Sequence, residues 1–558
     1  MDKLRFGLWF GLLASLFLAY QQWLLDNQPE PTATTADTSI TSGDDDELPP
    51  LEDDPGALPE LDAPVATPDG SALPATDDTS APDRTVRVTT DVLELVIDLD
   101  GGDIVRADIP TYPVDKANPD VPIRLLDYTA ANRWVFETGL RSATGAPEPN
   151  HQQAFSAESE AYTLAEGQET LEVRLDWTGA GGVSGQKIYT FRRGEYIVNL
   201  ELVLENGSGE TWRGAAYGQM TRVHNPVDRT FLNVDTYSFT GPVIYDGNEK
   251  EKIKFDDLAG EPRDLRVVNG WLASIQHHFL AAIVPRGDEE FRLQARTAGN
   301  RYRLTAIAPV ESVANGATLR YPLTLFVGPK LQDQLDAAAA GRELKLTVDY
   351  GVLTVLSQPL FWVLDLIHGW VGNWGWSIIL TTLLIKLAFY KLTATSGRSM
   401  AKMRKIAPRM KALQEKHKDD RQALSQAMMD LYKKEKVNPA AGCLPILIQM
   451  PFFFAFYWVL IESVEMRQAP FALWLNDLSV RDPFFILPLL MGGAMLFQMR
   501  LNPAPPDPVQ ARVMQIMPIL FTAMFAWFPS GLVLYWFTNT LVSIAQQWRI
   551  NQLVTRES

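Results

Sequence analysis

The sequence of 558 residues contains a single cysteine, Cys443. One thiol excludes an intrachain disulfide, and no cysteine or histidine spacing is typical of a zinc or haem site. Cys443 lies in the apolar run GCLPILIQMPFFF, which favours a packing role for it. Basic residues are also in a minority, with 50 Lys and Arg against 67 Asp and Glu and a formal charge of -17. This balance counts against nucleic acid as a partner.

Signatures of catalysis are missing as well. The chain has no phosphate-cradling glycine loop and no nucleotide fingerprint. Ser399 and Lys402 match the S-x-x-K spacing of some nucleophilic enzymes, but they lie in a basic, solvated segment, which indicates a chance match. His277 and His278 have no obvious metal-ligating neighbours in the sequence. We therefore predict no enzyme activity, no cofactor and no metal site.

What the chain does have is long apolar runs at its two ends. Residues 1–25 contain a basic start and the run FGLWFGLLASLFLAYQQWLL, with no cleavage pattern after it, which predicts an uncleaved transmembrane anchor starting in the cytoplasm.

Residues 26–84 are rich in Pro, Asp and Glu, and residues 26–83 contain no Lys or Arg. Such a segment cannot bury enough apolar surface to fold, so we predict a disordered, self-repelling linker.

Residues 85–345 change to the alternating pattern of β-strands. Segments such as LEVRLDW, KIYTFRR and YIVNLELVLEN place apolar residues at every second position, and turn sequences such as DLDGGD separate them. This predicts a large all-β sandwich domain outside the cytoplasm.

The remainder of the chain reads as a membrane α-helical bundle. Residues 350–370 predict an amphipathic helix in the membrane interface. Its lipid-facing residues are expected to be Phe361, Trp362, Leu364 and Trp370, with Asp365 and His368 facing the headgroups. Residues 375–549 then predict a five-helix core, so that the chain has six transmembrane helices with both termini in the cytoplasm, followed by a short tail over residues 550–558. The predicted spans of the core are roughly 375–393, 441–463, 483–501, 513–528 and 532–549. The distribution of Lys and Arg between the connections agrees with this topology at each step.

The first connection of the core, residues 396–438, predicts a helical hairpin on the cytoplasmic side. Its apolar residues step by three and four and include Met403, Met410 and Met428. Two interpretations remain open: the methionines pack the two helices together, or they form an adaptable surface for apolar client segments.

Lys386 is the least expected residue of the core. It lies 10 residues after Trp376 in WSIILTTLLIKLAFYKL, or about 15 Å along a helix, near the middle of a bilayer. A lysine at that depth costs on the order of 2.5–3.5 kcal/mol on insertion scales. Snorkelling towards water is one explanation, and a water-facing functional cation is the other. No acid lies near the centre of another predicted span, whereas polar residues do, among them Thr382, Gln449, Tyr535 and Asn539. We predict a hydrophilic recess inside the membrane.

Several segments are similar to one family. They are VGNWGWSIIL, the stretch from SMAKMRKIAPRMKALQEKHKDD to NPAAGCLPILIQMP, EMRQAPFALWLNDLS and FPSGLVLYW, all within residues 350–549. These segments resemble the YidC family of bacterial membrane-protein insertases, in the Gram-negative form with a large periplasmic domain. The resemblance implies a β-supersandwich for residues 85–345 and a location in the bacterial inner membrane.

The same resemblance implies roles for individual residues. Lys386 takes the position of the positive charge in the family's hydrophilic groove, and Thr382 and Tyr535 also match groove positions. Trp536 stands where a second tyrosine is common. The implied clients are nascent inner-membrane proteins, and the implied partners are the lipid bilayer, the Sec translocon and, weakly through the short tail, the ribosome.

Two other functions remain as alternatives. One is a solute or proton transporter that uses Lys386 as a relay, although the chain lacks internal repeats and a paired carboxylate. The other is a tethered external sugar enzyme or binding module, which a shared fold alone does not establish.

Overall fold

The computed structural model describes residues 82–116, 118–226, 238–417, 420–435, 444–501 and 508–556. The predicted anchor (residues 1–25), the linker up to residue 81, and Cys443 lie outside these residues. The chain divides into two compact units. The β unit runs to Asp349 and includes Glu462–Glu465, and the helical unit comprises Tyr350–Ile461 and the chain from Met466.

The strands of the β unit follow one another over residues 85–329. In chain order they are β1 (Thr85–Thr89), β2 (Glu94–Asp98), β3 (Asp103–Pro113), β4 (Pro122–Leu126), β5 (Trp134–Ser142), β6 (Ser156–Ala157), β7 (Ala161–Thr163), β8 (Thr170–Thr178), β9 (Val183–Arg192), β10 (Ile197–Asn206), β11 (Trp212–Val223), β12 (Gly241–Tyr245), β13 (Lys250–Lys252), β14 (Arg263–Val268), β15 (Trp271–Ile275), β16 (Phe279–Val284), β17 (Glu290–Ala298), β18 (Arg301–Ile307), β19 (Glu311–Val313) and β20 (Thr318–Pro329).

These strands form three sheets in the described part of the unit. The largest has nine strands in the order β13-β12-β15-β16-β20-β10-β9-β8-β6. A six-stranded sheet has the order β14-β17-β18-β11-β19, with β5 also paired to β11, and a five-stranded sheet has the order β4-β3-β2-β1-β7. Two short helices accompany them, α1 (Phe255–Gly260) and α2 (Gln332–Ala339). The predicted β-sandwich is confirmed.

The alternating sequence pattern accounts for how the large sheet buries one face. In β8 every second residue is buried, from Leu171 to Trp177, while the residues between them are exposed. The strand pairs antiparallel with β9, which alternates in the same way. Such alternation places the apolar side chains on one face of the sheet, where they build the core.

The core of the β unit also holds a buried ion pair. Lys187 on β9 and Asp103 on β3 approach to 2.7 Å with almost no solvent exposure. The Lys187 ammonium also donates to the carbonyls of Gly101 and Thr138, at 2.6 and 2.8 Å. These oxygens compensate the desolvation that otherwise makes a buried lysine costly. The pair therefore links β9 to the five-stranded sheet and to β5.

The helical unit contains eight α-helices among the described residues. They are α3 (Thr354–Val371), α4 (Trp374–Ala388), α5 (Tyr390–Lys416), α6 (Arg421–Lys434), α7 (Leu444–Glu462), α8 (Ile486–Leu501), α9 (Pro508–Phe525) and α10 (Ser530–Arg556). The last helix is central, because it packs against α4, α5 and α8.

The lengths of these helices bear on a membrane location. Within the described ranges, no single helix combines the length and the apolar composition that crossing a bilayer requires. The pair α4 and α5, bent by 64° at their junction, satisfies the test together by length and composition. Shorter apolar helices cover Ile486–Leu501 and Arg512–Phe525.

Two predicted boundaries differ from the helices. The span predicted over 375–393 is interrupted at Phe389, whose φ of -89° and ψ of 9° end α4 before α5 begins. No proline or glycine marks this break in the sequence. The predicted tail, residues 550–558, is helical as far as Arg556. Ile550 is buried there against Ala401, because Gly397 of α5 has no side chain and allows α10 to approach closely.

The predicted amphipathic helix is present as α3, but its faces differ from the expectation. Phe361 and Leu364, which were expected to face lipid, are buried. Ser357 on the same face donates a hydrogen bond of 3.1 Å to the carbonyl of Ala455 in α7. Trp362 and Trp370, which were also expected to face lipid, are exposed, as are Val355, Leu366 and Val371. The expectation was therefore wrong for Phe361 and Leu364, which lie on the face of α3 that packs on protein.

Candidate functional site

A cavity of about 210 Å³ lies among α4, α7, α8 and α10 of the helical unit. One part of its wall is polar and the other apolar. The polar lining is Lys386, Gln449, Gln498, Tyr535, Asn539, Thr540 and Ser543. The apolar lining is Ile385, Met450, Phe452, Phe453, Met495 and Trp536. Such a mixed wall can accommodate a segment that carries both a charged group and apolar side chains.

Lys386 supplies the positive charge of the cavity. Its side chain is buried, with 4% of the residue exposed. The ammonium donates to Ser543 Oγ at 2.8 Å and to Gln449 Oε1 at 3.4 Å. Both acceptors are neutral, and among the described residues no carboxylate forms an ion pair with this lysine. The charge is thus solvated by dipoles but not neutralised.

Aromatic rings form the apolar wall beside the cation. Tyr535 stacks on Phe456 with the ring centroids 4.6 Å apart, and Trp536 meets Phe453 edge-on at the same distance. Further rings of α9 continue the cluster behind Trp536. Edge-to-face and offset packing of this kind fixes large side chains in place. The wall is therefore a defined surface that α7, α9 and α10 hold together.

The comparisons with known proteins identify the family. The family described as YidC periplasmic domain matches residues 85–363, and the family described as 60Kd inner membrane protein matches residues 366–557. A membrane protein insertase YidC from Thioalkalivibrio sulfidiphilus is 46% identical over 567 residues, covering 100% of this chain and 99% of the relative. The chain belongs to the YidC family. A second relative of the same name, from Nitrosococcus oceani, is 42% identical and covers 100% of both chains.

A solved structure adds a more distant likeness. It is described as an active YidC insertase with the first transmembrane domain resolved, and it is 19% identical to this chain with a TM-score of 0.38. The match covers 84% of this chain and 93% of the other. Membership of the YidC family rests on the sequence matches above.

The structure brings together most of the residues that were predicted for the YidC groove. Five of the six line the cavity: Lys386, Gln449, Tyr535, Trp536 and Asn539. The sixth, Thr382, is buried one turn before Lys386 and outside the lining. Its hydroxyl donates to the carbonyl of Ile378 in its own helix at 2.7 Å. The five lining residues run from Lys386 to Asn539 in the sequence, and the fold gathers the other four around the lysine.

Ser543 was counted among the polar residues of the last predicted span but not among the groove residues, although it accepts the shortest hydrogen bond of Lys386. The sequence does contain a signal for it. Tyr535, Asn539 and Ser543 follow one another at intervals of four, which places them on one face of a helix. The apolar lining residues Met450, Phe453 and Met495 were missed too, because apolar side chains in an apolar helix give no contrast.

The hairpin methionines lie on the side where α5 and α6 meet. Met410 is buried together with Ile406. Met403 and Met428 are partly buried against this pair. The packing interpretation therefore accounts for Met410, and a contact with clients remains a prediction for Met403 and Met428.

Asp420 fixes the start of α6, since its carboxylate accepts hydrogen bonds from the backbone amides of Gln422 and Ala423 at 3.0 Å.

Proposed function

We propose that this YidC family member inserts client proteins into the bacterial inner membrane by way of the cavity around Lys386. The observation that carries the proposal is a buried lysine with neutral hydrogen-bond acceptors on one side and an aromatic wall on the other. The family is one of membrane protein insertases and not of enzymes. These matches support insertion and give no support to the transporter alternative.

The proposed mechanism is electrostatic and needs no nucleotide. A carboxylate of the entering client segment is attracted by Lys386, and this attraction is strong where water is scarce. The polar segment then crosses a smaller thickness of hydrocarbon than in a bilayer without the protein. Apolar client residues pass along the wall that contains Phe453 and Trp536 into lipid. The barrier to insertion is lowered because the charge is never transferred alone into hydrocarbon.

The proposal includes the topology and the partners predicted from the sequence. Six transmembrane helices with both termini in the cytoplasm place the cavity within the bilayer and the β unit in the periplasm. Nascent inner-membrane proteins are the clients, and the protein acts alone or beside the Sec translocon. A ribosome contact through the C-terminus is expected to be weak, because residues 550–558 carry few basic side chains.

Substitution at position 386 tests the proposal. The protein is depleted in cells, a variant is expressed, and insertion of a small client that does not need the Sec translocon is followed by protease protection. Lys386→Arg is expected to retain insertion, because the charge is kept. Lys386→Ala is expected to reduce insertion about tenfold or more, because it removes the attraction between the lysine and the client carboxylate. A loss of about 1.4 kcal/mol of that attraction corresponds to a factor of ten. Normal insertion with Lys386→Glu would contradict the proposal.

A further inference from the structure

The hydroxyl of Ser543 has its donor and acceptor roles fixed by its surroundings. Its oxygen lies 2.8 Å from the carbonyl oxygen of Asn539, one turn earlier in α10, and 2.8 Å from the ammonium of Lys386. A serine hydroxyl carries one proton, and a carbonyl oxygen can only accept. The hydroxyl proton of Ser543 is therefore donated to the carbonyl oxygen of Asn539. The remaining lone pairs of Ser543 Oγ are left to accept an N–H of Lys386.

This arrangement determines where the charge of Lys386 lies. A lysine side chain has a flexible four-carbon stem and loses rotamer entropy when it is held in one place. Near a bilayer such stems turn towards water. A hydrogen bond from a charged donor is stronger than one between neutral groups and opposes this loss of entropy. The bond to Gln449 is longer, at 3.4 Å, so Ser543 is the stronger of the two anchors.

The ammonium retains capacity for a ligand in this position. It has three N–H donors, and Ser543 and Gln449 accept two of them in the part of the chain that the structure describes. Both acceptors are neutral, so the full positive charge is available to a carboxylate. Other hydroxyls of the unit, those of Thr382, Thr522 and Thr540, also donate to a carbonyl one turn earlier. Ser543 differs from them because its oxygen also receives the cation.

We propose that Ser543 is a positioning residue that holds the ammonium of Lys386 inside the cavity and thereby sets the preference for clients with an acidic residue in the translocated segment. This inference rests on the proposed function, since it concerns the same cavity. It adds that the preference for acid depends on a neutral hydroxyl as well as on the lysine. It also predicts that a hydroxyl at position 543 is sufficient whether serine or threonine supplies it.

The test compares two clients that differ at one position. The purified full chain is reconstituted into vesicles of phosphatidylethanolamine and phosphatidylglycerol. Insertion is measured for a single-span client with one Asp in its translocated segment, and for the same client with Asn instead. The readout is the ratio of acidic to neutral client inserted. Ser543→Ala is expected to lower this ratio about tenfold or more, the size of one lost hydrogen bond to a charged group.

Three variants make the result specific. Ser543→Thr should restore the ratio, because threonine can donate to the same backbone carbonyl and still accept from the lysine. Thr395→Ala, which removes an equivalent bond to the carbonyl of Lys391 outside the cavity, should leave the ratio unchanged. Lys386→Gln should abolish the preference.

The outcomes separate the inference from the proposed function. If Ser543→Ala lowers insertion of both clients equally, or Ser543→Thr does not restore the ratio, the role of Ser543 is structural and the inference is overturned. If Ser543→Ala keeps the ratio while Lys386→Gln loses it, the inference fails and the proposed function stands. If Lys386→Gln also keeps the ratio, the proposed function itself fails.

Discussion

At the scale of single residues, this protein buries charged side chains in surroundings with little water, where a charge is costly. Lys386 in the helical unit and Lys187 in the β unit are both almost fully buried. Lys187 has Asp103 as a counter-charge at 2.7 Å, whereas Lys386 has only neutral acceptors. A paired buried charge serves the structure, while a charge held only by dipoles can still bind an arriving anion. This difference separates the structural role of Lys187 from the role that we propose for Lys386.

Asp98 at the end of β2 provides a test of charge burial in the β unit. Burial, together with the nearby carboxylates of Asp100 and Asp103, raises its pKa to about 6. The native state then binds a proton more tightly than the unfolded chain does. The free energy of unfolding is therefore expected to rise as the pH falls from about 6 towards 4, and to lose this contribution as the pH rises through 6.

Asp98→Asn removes the titrating group and keeps an oxygen for the amide of Asp100, which now donates to Asp98 at 3.0 Å. The variant should be more stable than the parent at pH 7, and the two should converge near pH 4. Thermal unfolding of the solubilised chain, followed at the β unit by circular dichroism, measures this. Glu94→Gln, at the exposed start of the same strand, is the control. Equal pH profiles for Asp98→Asn and the parent would show that the pKa is not raised.

At the scale of elements, a glycine allows two helices of the helical unit, α8 and α9, to approach closely. Gly492 of α8 faces Thr522 of α9 so closely that a Cβ there would lie 2.0 Å from Thr522 Oγ1 and 3.2 Å from its Cβ. The next residue, Gly493, has no atom within 4 Å of such a Cβ. Threonine is stiff about χ1, so it cannot turn away easily. Met495 and Gln498, which line the cavity, follow on the same helix.

Gly492→Ala is expected to push α8 away from α9 and to lower the stability of the helical unit by about 1–3 kcal/mol, the usual cost of overpacking. The Cβ added by Gly493→Ala has no neighbouring atom within 4 Å, and alanine stabilises a helix by about 1 kcal/mol relative to glycine. The midpoint of thermal unfolding in detergent should therefore fall for the first variant and stay or rise for the second. Equal midpoints for the two adjacent variants would contradict the packing described for α8 and α9.

Elements also show how far the sequence alone could lead. Strand β8 was evident, because its alternation is a local pattern that directly reflects burial. The break at Phe389, the protein-facing side of α3 and the helical state of residues up to Arg556 were not. No proline or glycine marks the break at Phe389, and the other two features involve partners that are distant in sequence, Ala455 for Ser357 and Gly397 for Ile550. Local periodicity states that a face is apolar, but not whether lipid or protein covers it.

At the scale of the whole molecule, the chain combines a β unit with a buried apolar core and a helical unit with a cavity whose wall is partly polar and partly apolar. The cavity could be anticipated because a lysine in an apolar helix is costly and demands an explanation. Five of its lining residues were also predicted, but the contact of Ser543 with Lys386 was not, since the two stand 157 positions apart and only the folded bundle joins them. The family matches cover both units and assign the whole chain to insertion of membrane proteins.

In the proposed mechanism, the charge at position 386 attracts the opposite charge of the client. Exchanging the two charges is the decisive experiment. Insertion into vesicles is measured for the parent and for Lys386→Glu, each with a client that carries either Asp or Lys at one translocated position. We expect the parent to prefer the acidic client and Lys386→Glu to reverse the preference in favour of the basic client. The same preference in both proteins would show that the charge at position 386 does not attract the client.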